Sequence, residues 1–279
     1  MTTVSDTRAI RLLPASVEPA DRQLAASPAL LAGVEQSGRA SMRWYRFSPR
    51  ALLLGSSQRT EAADLAACAA AGVPIHRRRS GGGAVLADPG LLLLDLALPP
   101  DHPLYLSDVT ESYRWFGEVW ASALQGLGLD ARVVSVAEAR ADTQALDPLL
   151  RPVCFAGLSP YEVVVGRRKA VGLAQVRRRG GALLEAGVYL SWSPERTAAL
   201  MAAPEQGRAT LARLLAERVA GLAQLPTREP IAAGAVERAV ERALEQRAGL
   251  QPTPDDWSAH ERAARETAAP GYAALQNHQ

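Results

Sequence analysis

The sequence predicts an α+β fold in which a largely antiparallel or mixed sheet is flanked by helices and the C-terminal end is helical. Short strand-like runs follow one another between residues 40 and 100 and again between 161 and 190. Amphipathic helical patterns separate these runs, and helical patterns alone follow residue 193. The chain shows neither an internal repeat nor coiled-coil heptads, which excludes solenoid and coiled-coil architectures.

Composition and length bound the class of protein. The chain has 279 residues, of which 48% are hydrophobic and 22% charged, so one large or two modest globular domains can form. A net charge of +2 with 5% aromatic residues argues against nucleic-acid binding. The most apolar run, 90–100, is far shorter than the about 20 residues that span a bilayer, so we expect no membrane association. Because the N-terminus carries no signal-peptide pattern, we expect a soluble, cytoplasmic protein.

In the N-terminal half, hydrophobic spacing and turn residues predict strands interspersed with two helices. The predicted strands are Arg8–Leu13, which Pro14 ends, Trp44–Phe47, Ala51–Leu54, Val73–His76, and two pieces within 84–99 around a turn at 88–90. The predicted helices are Pro19–Val34, closed by Ser37 and Gly38, and Thr60–Gly72, which Thr60 can cap and Gly72 can stop.

In the C-terminal half, helix and strand patterns give way to helices. Apolar side chains at helical spacing predict a long helix at Asp108–Leu127. After it we expect a strand at Leu129–Ser135, a mobile loop at Ala137–Pro152, and strands at Tyr161–Val165, Lys169–Val176 and Leu183–Leu190. The last predicted helices are Ser193–Met201, with Pro194 at its first position, Thr210–Leu222 and Gly234–Ala248. A charged helical tail follows Leu250, and Trp257 and Tyr272 are expected to anchor it on the main body.

A glycine-rich turn at Arg77–Gly83, with sequence RRRSGGG, is the first candidate for chemistry. Three glycines between two strands let backbone N–H groups approach a ligand closely, and the arginines supply charge for a phosphate or a polarised carbonyl. It is neither a P-loop nor a dinucleotide-binding fingerprint, because no Gly-Lys-Ser/Thr and no helix follows the glycines. The structural alternative is a flexible, solvated turn.

Lys169 is the second candidate, because it is the only lysine among 31 basic residues. Lysine is a compact ammonium that can reach a buried point and change protonation, whereas arginine cannot. If Val171 and Leu173 face the core, Lys169 shares their face and points inward, where it needs a negative partner. An exposed lysine at a charged hairpin tip is the other possibility that the residues leave open.

Cys154 is the third candidate, in a loop before the first strand of the 161–190 segment. A thiol nucleophile needs access and a nearby cation, and a small buried apolar role is the commoner alternative. Cys68 lies in an alanine-rich helix, where we interpret it as a core residue. The histidines show no metal-ligand spacing, so we predict no metal site, and no nucleophile elbow is present.

The motifs taken together resemble the biotin/lipoate protein ligase and transferase family. That family has a strand, an Arg-Arg-x-x-Gly-Gly-x-x-Val-x-x-Asp motif and then a Lys-x-x-Gly-x-Ala-Gln segment. The matching positions in this chain are Arg77, Arg78, Gly81, Gly82, Val85 and Asp88, then Lys169, Gly172, Ala174 and Gln175. The Cys154-Phe155 pair about fifteen residues before the lysine is most similar to the Cys-loop octanoyltransferases.

The resemblance implies a biotin/lipoate ligase catalytic-domain fold over residues 1–225, with 226–279 as a helical C-terminal extension packed on the same domain. It implies transfer of an octanoyl or lipoyl group from acyl carrier protein, through a Cys154 thioester, to a lysine of a lipoyl domain or of glycine-cleavage H protein. Lys169 would hold and polarise the acyl carbonyl. The implied substrate-binding residues are Arg77, Arg78, Ser80, Gly81, Gly82, Gly83, Ala84, Gly172, Ala174, Gln175 and Gly187.

Two positions depart from the family pattern. The family often has histidine before Asp88 and in a Gln-His-Gly triplet after the lysine, whereas this chain has Ala87 and Glu185-Ala186-Gly187. Three functions therefore stay open: a transferase that needs no cofactor, a lipoate-protein ligase that needs ATP and Mg²⁺, and a non-catalytic acyl-binding relative. For each of them we expect a monomer.

Overall fold

A computed structural model of the protein describes residues 8–227 and 229–275, so the chain before Arg8 lies outside it. The strands are β1 Ala9–Glu18, β2 Ser41–Phe47, β3 Ala51–Leu54, β4 Ile75–Arg77, β5 Val85–Ala87, β6 Leu91–Leu98, β7 Ala131–Val133, β8 Val163–Val165, β9 Arg168–Arg178, β10 Gly181–Tyr189 and β11 Gln251–Pro254. The helices are α1 Ala20–Ser37, α2 Leu65–Ala70, α3 Val109–Gly126, α4 Val136–Ala145, α5 Pro194–Leu200, α6 Glu205–Arg218, α7 Ala233–Ala248 and α8 Ala259–Ala268. Short 3₁₀ turns occur at Thr60–Ala62, Cys154–Ala156, Leu222–Gln224 and Ala269–Tyr272.

The strands form two sheets, and both are mixed. The large sheet has the order β11-β1-β2-β6-β10-β9-β8-β7, and the small one has the order β4-β3-β5. In the large sheet β1 runs parallel to β2 and β11, while the other neighbours are antiparallel. In the small sheet β3 is parallel to β4 and antiparallel to β5. This arrangement confirms the predicted α+β class with a largely antiparallel, mixed sheet.

The two faces of the large sheet are covered by different layers. On one face, leucines of β6 and β10 such as Leu94 and Leu184 pack with α3 and α7 around Trp120. On the other face, Leu91 and Tyr189 pack against the small sheet, and Leu183 packs against α1. Because successive strand side chains point to opposite faces, residues 183, 185, 187 and 189 of β10 all face this second layer. The functional cleft lies there.

Several predicted elements differ from the structure for local reasons. β1 continues beyond Pro14 because the pairing with β2 shifts register between Leu13 and Ser16, and an irregularity of this kind tolerates a residue without an N–H. The helix predicted at Thr60–Gly72 starts later, because Asp64, not Thr60, accepts the capping hydrogen bond of α2. The helix predicted to begin at Thr210 already starts at residue 205 and ends at 218.

The expectation of a mobile loop at Ala137–Pro152 is wrong. Ser135 and Glu138 form a capping box that starts α4, which extends to Ala145. An ion pair between Arg218 and Asp142 then joins α6 to α4. Other helix ends are as predicted: Gly38 closes α1 with a left-handed φ of 64°, and Ser193 caps α5 with Pro194 at its first position.

The C-terminal segment packs on the main body and adds a strand that the sequence did not predict. β11 pairs with the N-terminal β1, and α8 lies against α1. Tyr272 is buried in the core beside the small sheet, and Trp257 is partly buried against the α1 layer. Among the described residues, no helix is long and apolar enough to cross a membrane.

Candidate active site

The glycine-rich turn is joined by hydrogen bonds to the loop that carries Cys154. The Ala84 N–H donates to the Pro152 carbonyl at 2.7 Å, and the Cys154 N–H donates to the Ala84 carbonyl at 3.0 Å. At Gly83, a Cβ atom would lie 2.5 Å from the Pro152 oxygen and 2.8 Å from the Cys154 nitrogen. Glycine is therefore required at 83 so that the two backbones can approach this closely.

Arg78 connects the turn to the thiol. Its Nη2 atom donates to the carbonyls of Gly81 and Gly83 and lies 3.7 Å from Cys154 Sγ. A fixed positive charge beside sulfur is what a nucleophilic thiolate requires. Cys154 is only partly buried, whereas Cys68 is buried and the pKa of its thiol is raised to about 11 by that burial and by Asp64. Of the two thiols, Cys154 alone is accessible beside a cation.

Lys169 points inward, and its side chain is 2% exposed. The ammonium forms an ion pair of 2.6 Å with Glu162 Oε1. It also donates to the backbone carbonyls of Cys154 and Gly157, at 3.2 and 3.0 Å. The negative partner that an inward lysine needs is thus part of the protein. All three N–H donors of the ammonium are engaged, so a ligand oxygen could bind only by replacing one of these contacts.

Glu162 is a site residue that the sequence analysis did not select. It is buried, and its carboxylate accepts hydrogen bonds from the backbone N–H groups of Ser159 and Leu173. Burial raises the pKa of Glu162 above its ordinary value, while Lys169 acts in the opposite direction. The sequence signal for Glu162 was an acidic residue directly before β8, the strand that pairs with β9, which carries Lys169.

An apolar slot opens beside the thiol. Apart from Cys154, its wall is mostly aliphatic and aromatic and comes from α1, both sheets and the cysteine loop. The apolar lining residues are Leu24, Tyr45, Phe47, Leu53, Val85, Leu91, Leu93 and Phe155. Gly172 and Gly187 widen it, since a Cβ atom at Gly172 would lie 3.1 Å from the Phe155 ring. The slot has a volume of about 70 Å³, and its lining has the apolar character that suits a hydrocarbon chain attached at sulfur.

A second space, the lysine cavity, also borders the thiol. It has a volume of about 400 Å³ and is lined by Gly81–Gly83, Tyr113, Cys154, Glu162, Lys169 and Gln175. The side-chain oxygen of Gln175 is buried and, within 8–227 and 229–275, has no hydrogen-bond partner. It can therefore accept a hydrogen bond from a ligand in this cavity.

The predicted substrate-binding residues do not all face these spaces. Ser80, Gly172, Ala174 and Gly187 line the slot, whereas the guanidinium of Arg77 holds the adjacent 55–60 loop through the Gly55 carbonyl and Thr60. Ala84 contributes its backbone to the pairing with the cysteine loop, not a side chain to a ligand.

The two positions at which the family often has histidine are filled by small residues. Ala87 is buried in the small sheet, and Ala186 lies at the wall of the slot. The neighbouring Glu185 supplies the polar group that is found there. Burial raises the pKa of Glu185 to about 7, and the nearby Asp95 acts in the same direction. Its Oε2 atom is buried without a hydrogen-bond partner in the described structure.

Comparison with known proteins gives consistent results for sequence and fold. Residues 19–245 match the profile of the lipoyl protein ligase A/B catalytic domain. The chain is 33% identical over 231 residues to an octanoyltransferase LipM of Kyrpidia tusciae, covering 81% of this chain and 82% of that protein. It is 30% identical to an octanoyltransferase LipM of Moorella thermoacetica, covering 73% of each chain.

Solved structures of lipoate-protein ligases share the fold. A bipartite lipoate protein ligase of Thermoplasma acidophilum superposes with a TM-score of 0.76 at 22% identity, over 94% of this chain and 91% of that chain. A lipoate-protein ligase A bound with ATP gives a TM-score of 0.74 at 22% identity, over 93% and 94%. The chain therefore belongs to the lipoyl protein ligase A/B catalytic domain family, and it has the fold predicted from its glycine and lysine motifs.

Proposed function

We propose that the protein is a cysteine-dependent octanoyltransferase of protein lipoylation that acts as a cytoplasmic monomer. It takes an octanoyl group from acyl carrier protein and passes it to a lysine of a lipoyl domain or of glycine-cleavage H protein. The observation that carries this proposal is the Cys154 thiol, accessible beside Arg78 and at the wall of the apolar slot. The relatives named octanoyltransferase LipM support it.

In the first step, the Cys154 thiolate attacks the carbonyl carbon of the donor thioester. A new C–S bond forms to Cys154, the C–S bond to the donor breaks, and the donor leaves as a thiol with the proton that Cys154 gave up. The octanoyl chain then lies in the apolar slot. Arg78 stabilises the thiolate before attack. The glycine-rich turn, where a Cβ at Gly82 would lie 3.2 Å from the sulfur, supplies backbone N–H groups to the developing oxyanion.

In the second step, the uncharged amine of the acceptor lysine attacks the acyl-enzyme from the lysine cavity. A C–N bond forms, the C–S bond to Cys154 breaks, and the amine proton returns to the sulfur. Lys169 holds the Cys154 and Gly157 carbonyls in place, and it polarises the acyl oxygen by exchanging one of these contacts for it. Gln175 then orients the acceptor through its free side-chain oxygen.

The ATP-dependent ligase is the competing function, because the lysine cavity of about 400 Å³ could hold part of an acyl-adenylate. That reaction would use Lys169 and the glycine-rich turn and would not involve the thiol. The two functions therefore differ in whether Cys154 becomes covalently acylated.

Intact-mass spectrometry separates the functions. The wild-type protein, Cys154→Ala and Cys68→Ala are each incubated with octanoyl carrier protein. We expect one octanoyl adduct on the wild type and on Cys68→Ala, and none on Cys154→Ala. The adduct should disappear when a lipoyl domain is added, as that domain gains the same mass.

If the lipoyl domain were modified only in the presence of ATP and free octanoate, and at the same rate by Cys154→Ala as by the wild type, the protein would be a ligase and not a transferase. If neither octanoyl carrier protein nor free octanoate with ATP led to acylation, the remaining function would be that of a non-catalytic acyl-binding relative.

A further inference from the structure

A third space, the arginine cavity, shares lining residues with the apolar slot and none with the lysine cavity. It has a volume of about 390 Å³ and is walled by α1, the β9–β10 turn, β10 and the C-terminal segment. Six charged side chains line it: Arg78, Arg79, Arg178, Arg179, Glu35 and Glu185. Two of them, Arg78 and Glu185, also line the slot, and Arg78 contacts the Cys154 thiol.

The arginines of this cavity are not neutralised by protein carboxylates. None of the four forms an ion pair within residues 8–227 and 229–275. Arg79 donates only through Nε, to the Tyr272 hydroxyl, and Arg178 only to a backbone carbonyl. Arg179 is exposed and, over the same described ranges, makes no hydrogen bond. Terminal guanidinium N–H groups therefore remain available for an anion.

Arg177, which precedes Arg178 in β9, differs from Arg178 and Arg179 in having hydrogen-bond partners in another segment of the protein. Arg177 points the other way, where it donates to the Leu106 and Ser107 carbonyls and to Ser112. It is thus used within the protein, whereas Arg178 and Arg179 border the cavity. The two carboxyl groups leave the cavity positive, because Glu35 offsets one of the four arginines and Glu185, whose burial raises its pKa to about 7, offsets only part of another.

The lysine cavity has a different charge distribution. Lys169 is buried and already paired with Glu162, so the remaining cation of this cavity is one exposed arginine, Arg151, against the four arginines of the arginine cavity. A flexible anionic group is therefore better matched to the arginine cavity. An uncharged amine needs no countercharge and can enter the lysine cavity. Cys154 lines the lysine cavity directly, and Arg78, which contacts its sulfur, lines the arginine cavity.

We infer that the arginine cavity binds the phosphate-bearing arm of the donor thioester, and that the acceptor amine enters separately through the lysine cavity. The inference rests on the proposed transferase function. It assigns acylation of Cys154 by the donor to the arginine cavity and transfer to the acceptor amine to the lysine cavity. The donor arm lies along Arg78 with its phosphate at Arg79, Arg178 and Arg179. After the first step the donor thiol departs on this side, so the acceptor meets the acyl-enzyme without crossing the same path.

The test compares two octanoyl donors on the full-length protein. One is octanoyl carrier protein, whose arm carries a phosphate, and the other is the uncharged thioester octanoyl-N-acetylcysteamine. The variant is Arg178→Ser/Arg179→Ser, on an exposed turn. The matched control is Arg242→Ser/Arg247→Ser, which removes the same charge from α7 on the opposite face of the large sheet.

The expected result is a fall of about tenfold or more in the second-order rate of Cys154 acylation by octanoyl carrier protein, with a weaker dependence on salt. Acylation by the uncharged donor should not change, nor should transfer from preformed acyl-enzyme to a lipoyl domain. The α7 control should behave as the wild type with both donors.

Two outcomes would overturn the inference while leaving the proposed function intact. One is an unchanged rate with octanoyl carrier protein, and the other is an equal loss with both donors, which would mean that the turn shapes the slot. If neither donor acylated the wild type, the transferase function itself would fail, and the inference with it. The wild-type measurement therefore distinguishes the two failures.

Discussion

The ammonium nitrogen of Lys169 lies 2.6 Å from Oε1 of Glu162, and both side chains are almost completely buried. The same nitrogen donates to the carbonyls of Cys154 and Gly157, on either side of Phe155 and Ala156. The Lys169 ammonium, which Glu162 holds in place, thus fixes the backbone of the cysteine loop. A buried pair of this kind is sensitive to the removal of either partner, because the remaining charge stays buried without compensation.

We predict that Glu162→Gln lowers the free energy of unfolding by about 3–5 kcal/mol at pH 7. The glutamine keeps the shape of the side chain but leaves the Lys169 ammonium without a countercharge. Urea denaturation followed by fluorescence measures the change. Glu111→Gln, which removes one partner of Arg114 at an exposed helix surface, should have little effect. Equal stability of Glu162→Gln and wild type would contradict a structural role for the pair.

The double substitution Lys169→Met/Glu162→Gln separates stability from chemistry. Because both charges are removed, the double variant should regain much of the stability that either single substitution loses. Transfer of the octanoyl group to a lipoyl domain should be abolished in Lys169→Met and stay abolished in the double variant, since neither has an ammonium at the acyl oxygen. If the double variant recovered transfer along with stability, Lys169 would be a positioning residue only.

A second prediction concerns the close approach at Gly83. Gly83→Ala should destabilise the protein by about 1–3 kcal/mol and displace the cysteine loop, because the new Cβ would overlap Pro152 and Cys154 backbone atoms. Gly81→Ala is the matched control, since a Cβ there meets nothing within 4 Å. The rate of Cys154 alkylation and of octanoyl transfer should fall in Gly83→Ala only. Similar rates in both variants would show that the loop tolerates the displacement.

The sequence predicted the parts of the site that follow local rules. A glycine cluster between strands is a local signature. Lys169 points inward as predicted, but not on the face of Val171. The register between β8 and β9 shifts here, and the lysine side chain lies beside Gly172 and Phe155. Cys154 could be proposed because it precedes the lysine strand closely. Each of these residues lies at the site, although Arg77 uses its guanidinium to hold a loop and does not line the slot.

The partners of these residues could not be predicted, because they are joined by tertiary structure. The proximity of Arg78 to the thiol depends on pairing between segments about seventy residues apart, Ala84 with Val153. Strand β11 was missed for the same reason, since Gln251–Pro254 has two prolines and forms a strand through its pairing with β1. Helix α4 was missed in spite of a local signal, the Ser135 and Glu138 capping box, because its exposed face is polar.

A third prediction follows from the buried carboxyl of Glu185. Its pKa is about 7 in the folded protein, against an ordinary value of 4.5. Between these pH values the folded state binds more protons than the unfolded state, so Glu185 makes stability fall as pH rises from about 4.5 to about 7. Glu185→Gln should therefore be more stable than wild type at pH 8, by up to about 3 kcal/mol, and nearly equal to it at pH 4.5. Thermal denaturation at both pH values tests this, and a constant difference would show that Glu185 is not the titrating group.

The last prediction concerns the C-terminal segment, which we propose is part of one folded unit with residues 1–225. Arg11 of β1 binds both oxygens of Glu261 in α8, at 2.7 and 3.0 Å, and Glu261 is fully buried. The Glu261 carboxylate also packs against Gly33, where a Cβ would lie 2.0 Å from Oε1. This pair therefore joins the first strand, the first helix and the last helix of the described chain.

Glu261→Gln should lower the free energy of unfolding by about 3–5 kcal/mol at pH 7, because Arg11 would remain buried with only a partly exposed Asp255 as its ionic partner. Burial alone would raise the pKa of Glu261, but the hydrogen bonds from Arg11 lower it below the ordinary value of 4.5. The ionised Glu261 therefore contributes to the free energy of unfolding above pH 4.5, and this contribution is lost on acidification. The difference between variant and wild type should shrink as the pH falls below about 4. Glu266→Gln, in the exposed pair of the same helix with Arg22, should leave stability unchanged. Tryptophan fluorescence and far-UV circular dichroism should give one coincident transition in every variant, and two separate transitions would show that the segment folds independently.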